Sequence, residues 1–202
     1  MAVTRRVVLA SLNRGKAREV SQLLAGSGLE VVSQSEFDIP EAEEAAPTFV
    51  ENALLKARNA ARHTGLPAIA DDSGLAVDAL DGAPGIYSAR YAGPEADDAA
   101  NNRKLLEALA GLPASERGAR FICCVVYLRH ADDPVPLICE GVWRGQLLES
   151  PRGDNGFGYD PLFLVPELGL TSAQLSPEEK NRLSHRGQAL RRLVGHLAGC
   201  VD

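Results

Sequence analysis

A short β-branched run, Arg6 to Ala10, is followed by a polar turn and then by apolar residues at helical spacing from Lys16 to Leu24, closing near Gly26 and Gly28. Glu30 to Ser33 returns to a strand pattern. This alternation of strand and helix patterns points the N-terminal half to an α/β architecture. After an acidic loop from Glu36 to Pro47, Thr48 and Glu51 form a capping box, and Val50, Leu54, Ala57 and Ala61 draw one apolar stripe along the helix it opens. Ala68 to Ala70 reads as a short buried strand that runs out into the polar turn Asp71-Asp72-Ser73-Gly74.

The second half changes character. Asp97 or Asp98 can cap a helix through Ala110, and Ala119 to Arg129 and Val135 to Leu148 read as two long strands joined by His130 to Pro134, a β-hairpin. Pro161 to Val165 is a further strand. Ser176, Pro177 and Glu179 start another helix with a capping box, and the C-terminal helix is expected to be strained or broken near Gly187. Early strand-helix units with a late hairpin predict an α/β fold with a mixed central sheet and flanking helices, in two lobes around a central cleft, with residues 1–202 as one domain.

Charge and cysteines narrow the function classes. Lys and Arg total 21 against 27 Asp and Glu, a formal net charge of -6, so the overall field repels polyanions and a general nucleic-acid binder is not expected. Apolar runs such as Phe121 to Leu128 fall short of the roughly 18 residues that a membrane helix needs. Arg5-Arg6 before Val7 to Ala10 mimics a leader, but Asn13, Arg14 and Lys16 cut the apolar stretch, which reads as a first strand. Cys123, Cys124, Cys139 and Cys200 form no CxxC pair and fit no metal-ligand spacing, as expected for reduced thiols of a cytoplasmic protein.

Four segments can carry chemistry. Ser11-Leu12-Asn13-Arg14-Gly15-Lys16 lies between a strand and a helix, so its backbone N–H groups and Lys16 suit an anion, although it is neither a Walker loop nor a dinucleotide fingerprint. Glu41, Glu43 and Glu44 with Asp71 and Asp72 supply carboxylates from separate segments, which can bind Mg²⁺ and activate water. A solvated acidic loop and a plain turn are the alternatives. In Gly153-Asp154-Asn155-Gly156-Phe157-Gly158-Tyr159-Asp160-Pro161, glycines allow close approach to a flat ligand on which Phe157 can stack, the alternative being a wide loop. Lys180 and Ser184-His185-Arg186 form a late basic group that, read alone, is a solvated face.

In this order, the chain resembles the inosine triphosphate pyrophosphatase family along essentially its whole length. The resemblance rests on Ser11-x-Asn13-x-x-Lys16, Thr48-Phe49-x-Glu51-Asn52-Ala53, Ala70 to Leu75, Gly82-x-Pro84-Gly85-x-x-Ser88-Ala89-Arg90, Gly156 to Pro161 and Ser184-His185-Arg186. It implies a homodimeric, Mg²⁺-dependent hydrolase that converts non-standard purine nucleoside triphosphates (ITP, dITP, XTP) to the monophosphate and pyrophosphate. By position, Ser11, Asn13, Lys16 and Lys56 would hold phosphates, Asp72 and Glu44 the metal, and Asp72 would be the general base. Ser73, Phe157, Gly158, Tyr159, Asp160, Lys180, His185 and Arg186 would contact the rest of the substrate. Three departures stand out: Ser11 for the usual Thr, Asp154-Asn155 for Thr-Gly, and Ala45-Ala46 for Thr-Gly, the last leaving Glu43 and Glu44 both open as the metal carboxylate. A pyrophosphatase of different base preference and a non-catalytic nucleotide sensor are the competing functions.

Overall fold

The computed structural model describes residues 5–199, with the side chain of Arg14 left aside. Seven strands form one mixed sheet in the order β2-β1-β3-β4-β5-β6-β7. These are β1 (Arg5–Leu9), β2 (Leu29–Ser33), β3 (Ala68–Val77), β4 (Gly118–Leu128), β5 (Leu137–Leu147), β6 (Phe163–Val165) and β7 (Leu170–Thr171). The helices are α1 (Arg14–Leu24), α2 (Phe49–Thr64), α3 (Asp98–Ala108), α4 (Pro177–Leu183) and α5 (His185–Gly199). β1 pairs in parallel with both β2 and β3, whereas β6 is antiparallel to β5 and β7, which is the mixed sheet expected from the two halves of the sequence.

The chain divides into two compact units, residues 1–72, 123–141 and 186–202 in the first and 73–122 and 142–185 in the second. In the first unit, successive residues of β1 point to opposite faces, and each face has its own cover. Val7 and Leu9 join Val20 and Leu24 of α1 and Ala189, Leu190 and Leu193 of α5. Val8 packs instead with Ala53, Ala57, Ala60 and Ala61 of α2. Small alanines on α2 let the helix lie close to the strands. The helix starts where the Glu51 N–H donates to Thr48 Oγ1 at 3.3 Å, and ends at Gly65, whose φ is 67°.

The second unit is built around Leu75, Leu105, Leu109, Phe121, Trp143, Leu162, Phe163 and Leu175. Phe121 is the hub of its aromatic cluster, with ring centroids 4.5 Å from Phe163 and 6.4 Å from Trp143, and Phe163 in turn lies 5.1 Å from Trp143.

Two expectations are corrected. Asp71-Asp72-Ser73-Gly74 is not a turn: β3 continues straight through it, and Asp71 and Asp72 are buried in mid-strand. Turn-forming composition is overridden by cations that other elements bring to these carboxylates. The C-terminal helical segment breaks at Ser184, where ψ of 158° separates α4 from α5, and not near Gly187, which lies within α5. The link between β4 and β5 is too short for a parallel crossover, and its turn is fastened by Asp133, whose carboxylate accepts from the backbone N–H groups of Arg129 and Val135. Cys123, Cys124 and Cys139 are unbridged and buried; burial pushes the Cys124 thiol up to about 12, so it carries no thiolate at neutral pH. Cys200 lies outside the described residues.

Candidate functional site

The strand order places the first cluster. β1 leads through α1 to β2 on one side, while β3 lies on the other, so the chain reverses direction of winding between β1 and β3. In open parallel sheets the crevice beyond the carboxyl ends of the strands at such a point is where ligands bind. Leu9 is the last residue of β1 and is level with Ile69, and continuing that register sets Asp71 level with Ser11. β3 therefore overruns the end of β1 and carries its two aspartates alongside the turn that opens α1. Asn13 caps that helix, its Oδ1 accepting from the Lys16 N–H at 3.0 Å.

Lys16 Nζ stands 3.6 Å from Asp71 Oδ2. Lys56, from α2, donates to Asp72 Oδ1 at 2.8 Å and to Glu44 Oε2 at 3.0 Å. Glu44 is thus the carboxylate of the acidic loop that reaches the cluster, while Glu43 is exposed. The loop end is held by Asn52 of α2, which accepts from the Ala46 N–H at 3.0 Å and donates to the Ala46 carbonyl at 3.1 Å. Ala45-Ala46 therefore needs no special side chain; the backbone of Ala46 is what α2 grips.

Burial acts on these charges in opposed ways. At Asp72 it raises the carboxyl above its ordinary value, helped by the nearby Glu44 and opposed by Lys56 and Lys16. At Asp71 burial also favours the neutral form, but Lys16, Arg186 and Lys56 outweigh it and hold the carboxyl well below the usual range. Burial works against the Lys56 ammonium, and Asp72, Asp71 and Glu44 more than offset it, so Lys56 stays charged. Adjacent aspartates on one strand thus differ: Asp71 is a fixed anion, and Asp72 a carboxylate of raised basicity.

Arg186, which the resemblance puts among the substrate contacts, lies in this first unit. Its Nε and Nη2 each donate to Asp71 Oδ2 at 3.2 Å, and its Nη1 donates to Glu19 of α1. Two carboxylates balance a guanidinium that is only 2% exposed. Asp71 as the link between Lys16 and Arg186, and Glu19 as a partner, were not singled out from the sequence.

The second unit holds the glycine loop and Lys180. Asp160 organises them: its carboxylate accepts from the Phe157 N–H at 2.9 Å, from Ser172 Oγ at 2.8 Å and from Lys180 Nζ at 2.6 Å. Lys180 Nζ also lies 4.8 Å from the centre of the Phe157 ring, a cation over an aromatic face. Gly156 is required here, since its φ is 79° and a Cβ would sit 2.1 Å from Asp160 Oδ2. Asn155, one of the departures from the resembled pattern, keeps an ordinary backbone and ties the loop down by donating from Nδ2 to the Leu175 carbonyl at 3.2 Å. Tyr159 donates to the Ser88 carbonyl at 2.8 Å. His185 stacks on Phe121 with ring centroids 4.8 Å apart. Ser73 stands on β3 directly after Asp72, half-buried, at the first residue of the second unit.

A mixed α/β sheet whose switch point, between the parallel strands β1 and β3, carries two lysines and three carboxylates defines a protein that handles phosphorylated, nucleotide-like ligands. More particularly, the chain belongs to the Ham1 family, whose model matches residues 7–196. It is 64% identical over 194 residues to the dITP/XTP pyrophosphatase of Thioalkalivibrio sulfidiphilus, covering 96% of this chain and 99% of that protein. It is 58% identical over 189 residues to the dITP/XTP pyrophosphatase of Vibrio cholerae, covering 94% of each. Among solved structures, a HAM1 protein from Coxiella burnetii superposes with a TM-score of 0.90 at 50% identity, covering 97% of this chain and 100% of that one.

Proposed function

We propose that this chain is a dITP/XTP pyrophosphatase, hydrolysing dITP, XTP and ITP to the nucleoside monophosphate and pyrophosphate and so clearing non-standard purines from the nucleotide pool. The observation that carries the reading is the convergence of Asp72 and Glu44 on Lys56, 2.8 and 3.0 Å from its Nζ, at the switch point of the sheet. The relatives named above support the substrate class. A non-catalytic sensor would not need a buried carboxylate of raised basicity beside that of Glu44.

The divalent ion is Mg²⁺. Among the described residues no set of three or more His, Cys, Asp or Glu side chains forms a metal cage, and Mg²⁺ requires none, since it takes one or two carboxylates and completes its shell with substrate phosphates and water. Asp72 and Glu44 provide hard oxygen donors that already share one cation, so the donor set fits. When bound there, Mg²⁺ would supply charge neutralisation to the triphosphate.

The chain's own residues do the rest. Lys16, Lys56, Ser11 and the cap residue Asn13 bind and orient the phosphates, reducing the repulsion that otherwise protects a phosphoanhydride from a nucleophile. Asp72 orients a water toward the α-phosphorus and accepts its proton as the new P–O bond forms; the bond from the α-phosphorus to the bridging oxygen breaks, and pyrophosphate leaves. Phe157 stacks on the base. Gly158, Tyr159 and Asp160 shape that pocket with Ser73 and His185, and Lys180 donates to the 6-oxo acceptor that hypoxanthine and xanthine present and adenine replaces with a donor. Arg186, with its charge balanced by Asp71 and Glu19, braces Asp71 behind the phosphate lysines instead of reading the base. The reading includes a homodimer working in the cytoplasm; no described helix is long and apolar enough to cross a membrane.

A panel of dITP, XTP, dATP and dGTP with Mg²⁺, with products separated, checks this reading. The expected result is monophosphate and pyrophosphate from dITP and XTP, at kcat/KM at least about 100-fold above that for dATP. Equal rates on all four, or release of diphosphate and phosphate, would overturn it.

A further inference from the structure

The base-side loop is held by α3, an element that none of the motifs includes. Asp98 is the first residue of α3, but it does not cap the helix; Asp97 does, accepting from the Ala100 N–H at 2.7 Å. The Asp98 carboxylate is instead turned to the glycine loop, where it accepts from the Gly158 N–H at 2.6 Å. One helical turn on, Asn102 Nδ2 donates to the Gly158 carbonyl at 2.8 Å and to the Asp98 carbonyl at the same distance. Both polar groups of one residue, some 60 positions away, are thus gripped by one face of α3.

That grip matters because of what Gly158 joins. Its φ is 61°, a conformation that glycine adopts without strain, and a Cβ there would meet nothing within 4 Å, so backbone freedom and not space selects glycine. The preceding residue, Phe157, has its N–H fixed by Asp160, and its ring lies under Lys180. The loop is therefore pinned at Phe157 by Asp160 and at Gly158 by α3. α3 is itself anchored: Asn101 accepts from the Ala92 N–H and donates to the Ala89 carbonyl, and Leu105 is buried in the core of the unit. A fixed helix can impose a fixed loop.

We propose that Asp98 and Asn102 are positioning residues for base selection, holding Gly158 so that the Phe157 ring and Lys180 meet a 6-oxopurine in one geometry. This rests on the pyrophosphatase reading and on the assignment of residues 157–160 to the base. Neither residue touches the reacting atoms. Their loss loosens discrimination between bases and leaves the chemical step intact.

The test compares dITP with dATP, Mg²⁺ present, for the parent, Asp98→Ala, Asn102→Ala and Asp98→Asn, with thermal melts to establish folding. For the alanine variants kcat/KM on dITP should fall about tenfold, mainly through KM, while that on dATP falls less than about threefold, so the preference narrows. Asp98→Asn, whose amide oxygen can still accept from Gly158, should keep the parental preference. Parallel losses on both substrates, an unchanged preference, or equal damage from Asp98→Asn and Asp98→Ala would overturn the proposal. Should an alanine variant fail to fold, Asn102→Leu, which removes the donor while nearly keeping the volume and adding no charge, takes its place with the same two readouts. A parent that does not cleave dITP at all would instead overturn the reading of the function, so the two failures are distinguishable.

Discussion

Asp72→Asn should lose turnover by about 1,000-fold or more while folding normally. The substitution keeps volume and leaves an amide oxygen for Lys56 to donate to, so the ion pair of 2.8 Å becomes a weaker hydrogen bond without opening a void. It removes two things that the proposed chemistry needs: a carboxylate to take the proton of the attacking water, and one of the two anions offered to Mg²⁺. Both losses fall on the chemical step, so kcat drops and nucleotide affinity in Mg²⁺-free buffer changes little. Turnover within about tenfold of the parent, with the melting curve unchanged, would remove Asp72 from the role of base.

The largest effect on stability is expected one residue earlier. Asp71→Ala leaves the guanidinium of Arg186, 2% exposed, with Glu19 as its remaining carboxylate among those described here, and deprives Lys16 of its anion at 3.6 Å. Removing one partner of a buried pair costs about 3 to 5 kcal/mol, because the surviving charge stays out of water. The carboxyl of Asp71 is held below its ordinary value, as burial is outweighed by Lys16, Arg186 and Lys56. Its ionised form therefore contributes stability that is complete above about pH 4, the unfolded value, and is lost as pH falls through the folded one. Urea titrations at a series of pH values should show the full gap between parent and Asp71→Ala at pH 7 and a narrowing gap in acid. A gap below about 1 kcal/mol at pH 7, or one that widens in acid, would contradict the network described here.

The two aspartates also mark where the sequence was legible and where it was not. Local signals act over a few residues: Thr48 caps α2 by accepting from the Glu51 N–H, Ser176, Pro177 and Glu179 open α4 with a full capping box, and the β-branched run from Arg6 forms β1. Asp71-Asp72-Ser73-Gly74 looked like a turn because two adjacent carboxylates and a glycine are poor strand formers. What makes them strand is the arrival of Lys16, Lys56 and Arg186 from three other elements, a long-range fact that no window of residues contains. Arg186 shows the same limit, since its partners lie 115 and 167 positions away. The choice between Glu43 and Glu44 likewise waited on Lys56, because two neighbouring glutamates in a loop are equivalent until something faces one of them. The break between α4 and α5 fell at Ser184 because a serine with extended backbone ends one helix and opens another, a stronger interruption than a glycine inside a turn.

The most direct test of the central claim, attack by water at the α-phosphorus, is hydrolysis of dITP with Mg²⁺ in ¹⁸O-enriched water, with mass analysis of both products. The expected result is one ¹⁸O in dIMP and none in pyrophosphate. Label in pyrophosphate, or in inorganic phosphate accompanied by dIDP, would place the attack on another phosphorus and contradict the assignment of Asp72, Glu44, Lys16 and Lys56 to a pyrophosphohydrolase site.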